Sequence, residues 1–177
     1  MLRAEAKLTN SLDWHQRVGT QRDWVWRGWQ TRYTYLRPNK PNLSRHSGAI
    51  EFEDSAAEGF ESQPPETPII LLHGFGASIG HWRQNLAFLA ENHTVYALDL
   101  LGFGASQKAP ANYDVTMWVD QVYDFWLTFV GKPVVLVGNS IGSLICLAAA
   151  AAHPDMVAGI VTISLPDPSV RAEAVPK

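Results

Sequence analysis

The sequence has 177 residues, of which 46% are hydrophobic and seven are tryptophan, and this composition favours a folded chain with an apolar core over a disordered one. Its formal net charge of −3 gives no bulk electrostatic attraction to nucleic acid. The single cysteine, Cys146, excludes an intrachain disulfide framework, and its apolar surroundings predict a buried, unreactive thiol.

The first third of the chain predicts an extension, a hairpin and an insertion. Residues 1–22 are mixed and polar, and we expect an N-terminal extension there with neither a signal peptide nor a membrane-spanning segment. Residues 23–26 and 29–36 flank a turn at Arg27-Gly28 and alternate apolar with polar side chains, which predicts an antiparallel hairpin. Residues 38–67 are rich in proline and acidic residues, so we expect a surface insertion within a domain that spans residues 23–177.

The remainder of the chain alternates between strand and helix patterns. Continuous apolar runs predict buried strands at 69–72, 94–98, 133–137 and 160–163. Apolar residues at helical spacing predict helices within 79–89, 115–129 and 141–152. This alternation with short connections predicts an α/β fold in which right-handed crossovers wind a parallel sheet.

The stretch Gly138-Asn139-Ser140-Ile141-Gly142 lies between a predicted strand and a predicted helix. A serine at so sharp a turn projects its hydroxyl above the sheet edge, and the two glycines let strand and helix cross closely. The helix N-terminus supplies unpaired N–H groups and the positive end of a dipole. We therefore interpret Ser140 as a nucleophile; the alternative is a glycine-rich turn with a capping serine.

A second glycine-rich loop, His73-Gly74-Phe75-Gly76, directly follows the strand at 69–72. Such a loop can aim a backbone N–H at the oxygen of a carbonyl group under attack, and we predict the N–H groups of Phe75 and Ile141 as the two oxyanion donors. His73 invites a role as general base, but its position favours an imidazole that hydrogen-bonds the backbone. Asp99 and the glycines that follow it are expected to shape a tight loop.

Together these motifs, with Asp99-Leu100-Leu101-Gly102-Phe103-Gly104-Ala105-Ser106 between them, resemble the α/β-hydrolase superfamily over residues 23–165. Residues 23–28, 73–78, 96–106 and 138–140 resemble its pheophytinase and chlorophyll dephytylase branch in plants and cyanobacteria. The resemblance implies an α/β-hydrolase fold, with a mostly parallel sheet and an N-terminal antiparallel hairpin. It also implies a serine hydrolase for a lipophilic carboxylic ester, such as a chlorophyll-type phytyl ester.

The same resemblance implies no cofactor and no metal. The expected partners are a small lipophilic ester and, peripherally, a membrane surface, in the cytoplasm or at a chloroplast thylakoid. A serine at position 140, where dehalogenases and epoxide hydrolases of this fold carry aspartate, counts against those two reactions.

The chain departs from the superfamily pattern in its catalytic partners. The pattern implies an acid after a later strand and a histidine after the last strand, but none of the histidines, at positions 15, 46, 73, 81, 93 and 153, follows a late strand. Asp167 is a candidate acid, with a proline-flanked turn aspartate as the alternative. We therefore expect a fragment truncated after about the sixth strand, inactive alone, with exposed apolar sheet surface and with its triad histidine beyond Lys177.

Two other functions stay open at this point. One is a non-catalytic binding or scaffold protein of the same fold. The other is a C–C bond hydrolase or a cofactor-free haloperoxidase that uses the same serine.

Overall fold

A six-stranded mixed sheet lies at the centre of the computed structural model, which describes residues 17–38 and 66–166. The strands are β1 (Gln21–Trp26), β2 (Trp29–Leu36), β3 (Ile69–Leu72), β4 (Val95–Leu98), β5 (Val134–Asn139) and β6 (Val157–Ile163). The helices are α1 (Leu86–Leu89), α2 (Val115–Phe129) and α3 (Ile141–Ala152), and 3₁₀ turns span Ile79–Trp82 and Pro154–Met156. Most of the expected extension and insertion, and Asp167, lie outside the described residues.

The hairpin of β1 and β2 has the predicted turn. Trp26 pairs with Trp29, and the two residues between them, Arg27 and Gly28, have φ values of 49° and 87°. Positive φ at both central residues is typical of the type I′ turn, whose twist matches that of a hairpin. Thr34 departs from the predicted alternation because it is buried, with its hydroxyl donating to the Val18 carbonyl oxygen at 2.8 Å.

The strand order, β1-β2-β4-β3-β5-β6, places a topological switch point beside β3. β2 pairs antiparallel with β4, whereas β4, β3, β5 and β6 are parallel neighbours. The chain passes from β3 to β4 on one side, and then crosses to β5 on the other side. Crevices form at the carboxyl ends of strands where the winding direction reverses, so the loops that follow β3 and β5 open into one crevice.

The apolar run of β3 is explained by two cores, one on each face of the sheet. All four residues of β3 are buried. Ile70 and Leu72 belong to the larger core with α2 and α3, whereas Ile69 and Leu71 belong to a smaller core with the 3₁₀ turn at Ile79–Trp82 and α1. Because both faces are covered, the strand carries no polar alternation, as predicted.

The predicted helix within 79–89 is broken into a 3₁₀ turn, Ile79–Trp82, and the single turn of α1. The periodicity correctly identified the buried face, since Ile79, Trp82 and Leu86 are all buried. Gly80 has low helix propensity, and the Asn85 N–H bonds the Trp82 carbonyl oxygen at 2.8 Å in a tighter i→i−3 turn. The α-helical hydrogen-bond pattern therefore does not run through the segment.

The sixth strand presents apolar side chains to solvent. β6 begins at Val157, earlier than predicted, and Val161 and Ile163 are 47% and 41% exposed. The expected apolar sheet surface is thus present at this edge. Among the described residues, no helix has the length and apolar character needed to cross a bilayer.

Phe125 is expected to be a main support of the larger core. Its ring is fully buried and lies 5.2 Å from that of Tyr33 and 5.7 Å from that of Trp24, centroid to centroid. Phe125→Ala should lower the free energy of unfolding by about 3–5 kcal/mol, measured by urea denaturation, because it leaves a cavity. Leu127→Ala, at a 55% exposed position of the same helix, is the control and should change it by less than about 0.5 kcal/mol. Equal losses in the two variants would contradict this account of the core.

Candidate active site

Ser140 forms the whole connection between β5 and α3. β5 ends at Asn139, α3 begins at Ile141, and Ser140 between them has φ 55° and ψ −117°. This region is rarely adopted by residues other than glycine and costs on the order of 1–3 kcal/mol, so the surrounding contacts must hold it. Its side chain makes no capping hydrogen bond to α3, which rules out the alternative of a capping serine.

Two glycines make this turn sterically feasible. A Cβ atom on Gly138 would lie 2.3 Å from the carbonyl carbon of Gly142, and one on Gly142 would lie 2.3 Å from the Leu72 carbonyl oxygen. The start of α3 therefore packs directly on the backbone of β3 and β5. This is the close crossing that the sequence motif predicted.

The turn is also tied to β6 through hydrogen bonds that the sequence analysis missed. The Ser140 N–H donates to the Ile163 carbonyl oxygen at 2.8 Å. The fully buried Ser143 hydroxyl lies 2.8 Å from the Gly138 carbonyl oxygen and 3.0 Å from that of Ile163, and it accepts from the Ile163 N–H at 3.2 Å. A serine one turn into an otherwise apolar helix was the available signal for this role.

The loop at 73–76 lies against the nucleophile turn. A Cβ atom on Gly74 would lie 3.3 Å from the Ser140 Cβ, so any larger residue would press on the candidate nucleophile. The N–H groups of Phe75 and Ile141 donate to no other described residue. Ile141 is the first residue of α3, where helical N–H groups lack internal partners and the dipole is positive. One unused N–H group thus lies in the loop after β3, and the other lies at the first residue of α3, directly after Ser140.

His73 uses both ring nitrogens within the fold. Its Nδ1–H donates to the Gly74 carbonyl oxygen at 2.7 Å, and its Nε2 accepts from the Leu100 N–H at 3.1 Å. Burial, opposed by the Gly74 hydrogen bond, lowers the pKa of the imidazole from its ordinary value. These contacts match the structural role favoured from the sequence and leave no nitrogen for a general base.

Asp99 is likewise committed to loop geometry. Its carboxylate oxygens accept from the N–H groups of Ile79 at 2.6 Å and Ala105 at 2.7 Å. A Cβ atom on Gly104 would lie 2.2 Å from this carboxylate, and Gly104 has a φ of 53°. The tight loop predicted at this position is present, and each oxygen of the Asp99 carboxylate accepts from a backbone N–H group of it or of the 3₁₀ turn.

Helix α2 is hydrogen-bonded to the loop that follows β4. The Trp118 Nε1–H donates to the Leu101 carbonyl oxygen at 3.0 Å, and the Leu101 N–H donates to the Gln121 Oε1 at 2.9 Å. Both Trp118 and Gln121 are buried. The loop that follows β4 is therefore fixed by α2 on one side and by Asp99 on the other.

An apolar cavity of about 600 Å³ opens beside the two free N–H donors. Its lining comprises four aromatic side chains, two aliphatic side chains, a glycine and an aspartate: Phe75, Phe103, Tyr113, Trp118, Val115, Ile141, Gly102 and Asp114. Successive rings are in contact, with centroids 5.2 Å apart for Phe75 and Phe103 and 5.8 Å apart for Phe103 and Trp118. The helical spacing within residues 115–129 predicts a helix there but does not predict this wall.

The described part of the chain, residues 17–38 and 66–166, places no histidine in hydrogen-bond contact with Ser140. His153 ends α3, and its ring stacks on Tyr123 with centroids 3.7 Å apart. Asp167 lies outside the described residues, so its role as the acid stays a prediction. The same part of the chain holds no group of three or more His, Cys, Asp or Glu residues able to bind a metal.

The family of this chain is shown by a family model that covers most of its length. The family model described as the alpha/beta hydrolase fold matches residues 67–176, more than half of the chain.

The chain belongs to the α/β-hydrolase fold family.

Curated relatives of this α/β-hydrolase chain include enzymes with different reactions. A human 1-acylglycerol-3-phosphate O-acyltransferase is 30% identical over 55% of this chain and 29% of its own length. The 2-hydroxy-6-oxo-6-(2'-aminophenyl)hexa-2,4-dienoic acid hydrolase of Metapseudomonas resinovorans is 37% identical over 53% of this chain and 34% of its own length. The α/β-hydrolase chain thus spans about a third of the length of these relatives.

Solved structures show the same architecture. A bacterial membrane phospholipase A superposes with a TM-score of 0.66 at 25% identity, over 90% of this chain and 43% of its own. A serine hydrolase involved in carbazole degradation superposes with a TM-score of 0.65 at 26% identity, over 85% of this chain and 50% of its own. These similarities confirm the α/β-hydrolase fold predicted from the sequence.

The crossing at Gly142 should tolerate no side chain. Gly142→Ala places a Cβ against the backbone oxygen of Leu72, and we expect it to lower the free energy of unfolding by about 1–3 kcal/mol. Gly159→Ala in β6 is the matched control, because its Cβ would lie 3.8 Å from Val135 Cγ2, an ordinary contact. Urea denaturation compares the two variants. A Gly142→Ala protein as stable as Gly159→Ala would contradict the close crossing.

Burial of His73 should make stability depend on pH. Its folded pKa is lowered, so below the unfolded pKa of about 6.5 the unfolded chain binds a proton that the folded chain does not. The free energy of unfolding should therefore fall as the pH decreases from about 6.5 to about 5, with a His73 contribution of up to about 1.4 kcal/mol per pH unit. His73→Gln should flatten this slope in urea denaturation across that range. An unchanged slope would contradict the assignment.

Proposed function

We propose that this chain carries the nucleophile and oxyanion hole of a serine hydrolase that acts by acyl transfer on a lipophilic carboxylic ester. The observation that carries the proposal is the backbone of Ser140, which is held at φ 55° with its hydroxyl unused by the helix cap. A strained strand-to-helix turn of this kind exposes a serine for attack. Membership of the α/β-hydrolase family supports the same reaction class.

In the proposed reaction, the Ser140 Oγ attacks the ester carbonyl carbon as a base takes its proton. The N–H groups of Phe75 and Ile141 donate to the resulting oxyanion, and an interaction of this kind is worth about 2.7–4 kcal/mol in serine hydrolases. The carbon–oxygen bond then breaks, and the alcohol leaves with the proton. Water cleaves the acyl-enzyme by the same sequence of steps and restores the serine.

The base in this scheme is a histidine oriented by an acid. His73 is excluded by its two backbone hydrogen bonds, and His153 caps the far end of α3, about 18 Å along the helix from Ser140. We therefore propose that the base is a histidine other than these two, with Asp167 as the candidate acid. Without that base a serine hydroxyl is a weak nucleophile, and the described residues alone supply only the nucleophile and the oxyanion donors.

The aromatic cavity supports a lipophilic substrate. Its walls are mostly hydrocarbon, and one of its members, Ile141, also supplies a proposed oxyanion donor, so an acyl or alkyl group would lie beside the reacting carbonyl. Resemblance to the pheophytinase branch makes a chlorophyll-type phytyl ester one candidate. Peripheral contact with a membrane, as at a thylakoid, belongs to this proposal and is supported by the 78% exposed Phe75 at the cavity.

A second candidate reaction uses the same serine to cleave a carbon–carbon bond. It is favoured by the 37% identity to the dienoic acid hydrolase of Metapseudomonas resinovorans. Turnover of a lipophilic ester, but not of a dienoic acid, would separate the two.

The nucleophile is tested by labelling with a fluorophosphonate probe, which reacts with activated serines. We expect the protein that contains its general base to be labelled, and its Ser140→Ala variant to lose the label completely. Ser78→Ala is the matched control and should keep it, because Ser78 caps the 3₁₀ turn after the oxyanion loop and takes no part in the proposed attack. Persistent labelling of Ser140→Ala, or no labelling of the native protein, would refute the proposal.

A further inference from the structure

The wall of the aromatic cavity includes a carboxylate. Asp114 is the only charged side chain among the described residues that line it. The remainder of the lining includes Phe75, Ile141, which follows Ser140 in the chain, and Tyr113 and Trp118, which stack with centroids 6.2 Å apart. The described lining therefore includes both the chain neighbour of the candidate nucleophile and a single carboxylate.

The position of this carboxylate is fixed by the helix that follows it. Asp114 is the N-cap of α2, and its Oδ1 accepts from the Met117 N–H at 2.8 Å. Its Oδ2 lies 3.5 Å from the Asn112 Nδ2, a weak contact that leaves this oxygen largely unpaired. A capping side chain is held by the helix start, so this negative charge stays at the cavity.

We propose that Asp114 is a specificity determinant that restricts this cavity to uncharged groups and disfavours ester substrates that also carry a carboxylate. The inference rests on the proposed function for the location of the ester, and it deepens that function by naming the substrate class. An anionic group entering the cavity would exchange water for aromatic rings and would also face a like charge.

The size of the effect follows from simple electrostatics. Asp114 is solvent-exposed, so it repels a ligand carboxylate through a water-like dielectric. At a separation of about 4 Å this repulsion raises the dissociation constant of the ligand roughly fivefold. Repulsion at an exposed site is screened by salt. The discrimination due to Asp114 should therefore decrease when the salt concentration is raised to about 0.5 M.

The test measures binding without turnover, in the Ser140→Ala protein. Methyl octanoate and monomethyl suberate have the same chain length and the same ester, but the second ends in a carboxylate. Each is titrated as a competitor of bound Nile red, an uncharged apolar dye. We expect methyl octanoate to bind more tightly than monomethyl suberate. The dissociation constant of monomethyl suberate divided by that of methyl octanoate should fall about fivefold in Ser140→Ala/Asp114→Asn. Asparagine is as good an N-cap as aspartate, so α2 is kept.

Ser140→Ala/Asp120→Asn is the matched control. Asp120 is on the same helix but outside the cavity, where it pairs with Arg27 at 3.0 Å, so its loss should leave the ratio unchanged. The inference is overturned if Asp114→Asn leaves the ratio unchanged, if Asp120→Asn lowers it equally, or if neither ester displaces the dye. Failure of Ser140 to react with a fluorophosphonate would refute the proposed function alone, since the binding ratio does not depend on that reaction.

Discussion

The close packing of α3 on the backbone of β3 and β5 is the constraint on which the site depends. Gly138 and Gly142 lie where any Cβ would collide with main-chain atoms, so the helix can start immediately after the strand. With no room for a loop, Ser140 must make the whole change of direction alone, which forces its positive φ. The strain is local, and the packing of the two cores offsets it.

The sheet order determines which loops meet at that turn. Because β3 lies between β4 and β5, its carboxyl end adjoins the ends of both, and the segments after all three strands converge. His73 links two of them, with one ring nitrogen on Gly74 and the other on Leu100. Asp99 joins the same two segments again, because its carboxylate accepts from the N–H groups of Ile79 and Ala105. The polar side chains of His73 and Asp99 therefore fix the backbone of these loops.

Patterns set by backbone sterics and burial were predictable from the sequence, whereas contacts between distant segments were not. The apolar run of β3, the Arg27-Gly28 turn and the glycines around Ser140 each have a local signature, and the structure agrees with them. Periodicity did not predict the break in the helix at Gly80, because the buried face continues across the break. The Ser143 bridge and the aromatic wall depend on strand order, which periodicity does not encode.

The hydrogen bonds of Ile163 connect the edge strand β6 to the turn that carries Ser140. Its carbonyl oxygen accepts from the Ser140 N–H and lies within bonding distance of the Ser143 hydroxyl, which in turn accepts from its N–H. A displacement of β6 along its axis would therefore be transmitted directly to the main chain that carries the Ser140 hydroxyl. A segment or molecule that paired with the outer edge of β6 would therefore also shift the hydroxyl of the candidate nucleophile, without touching it.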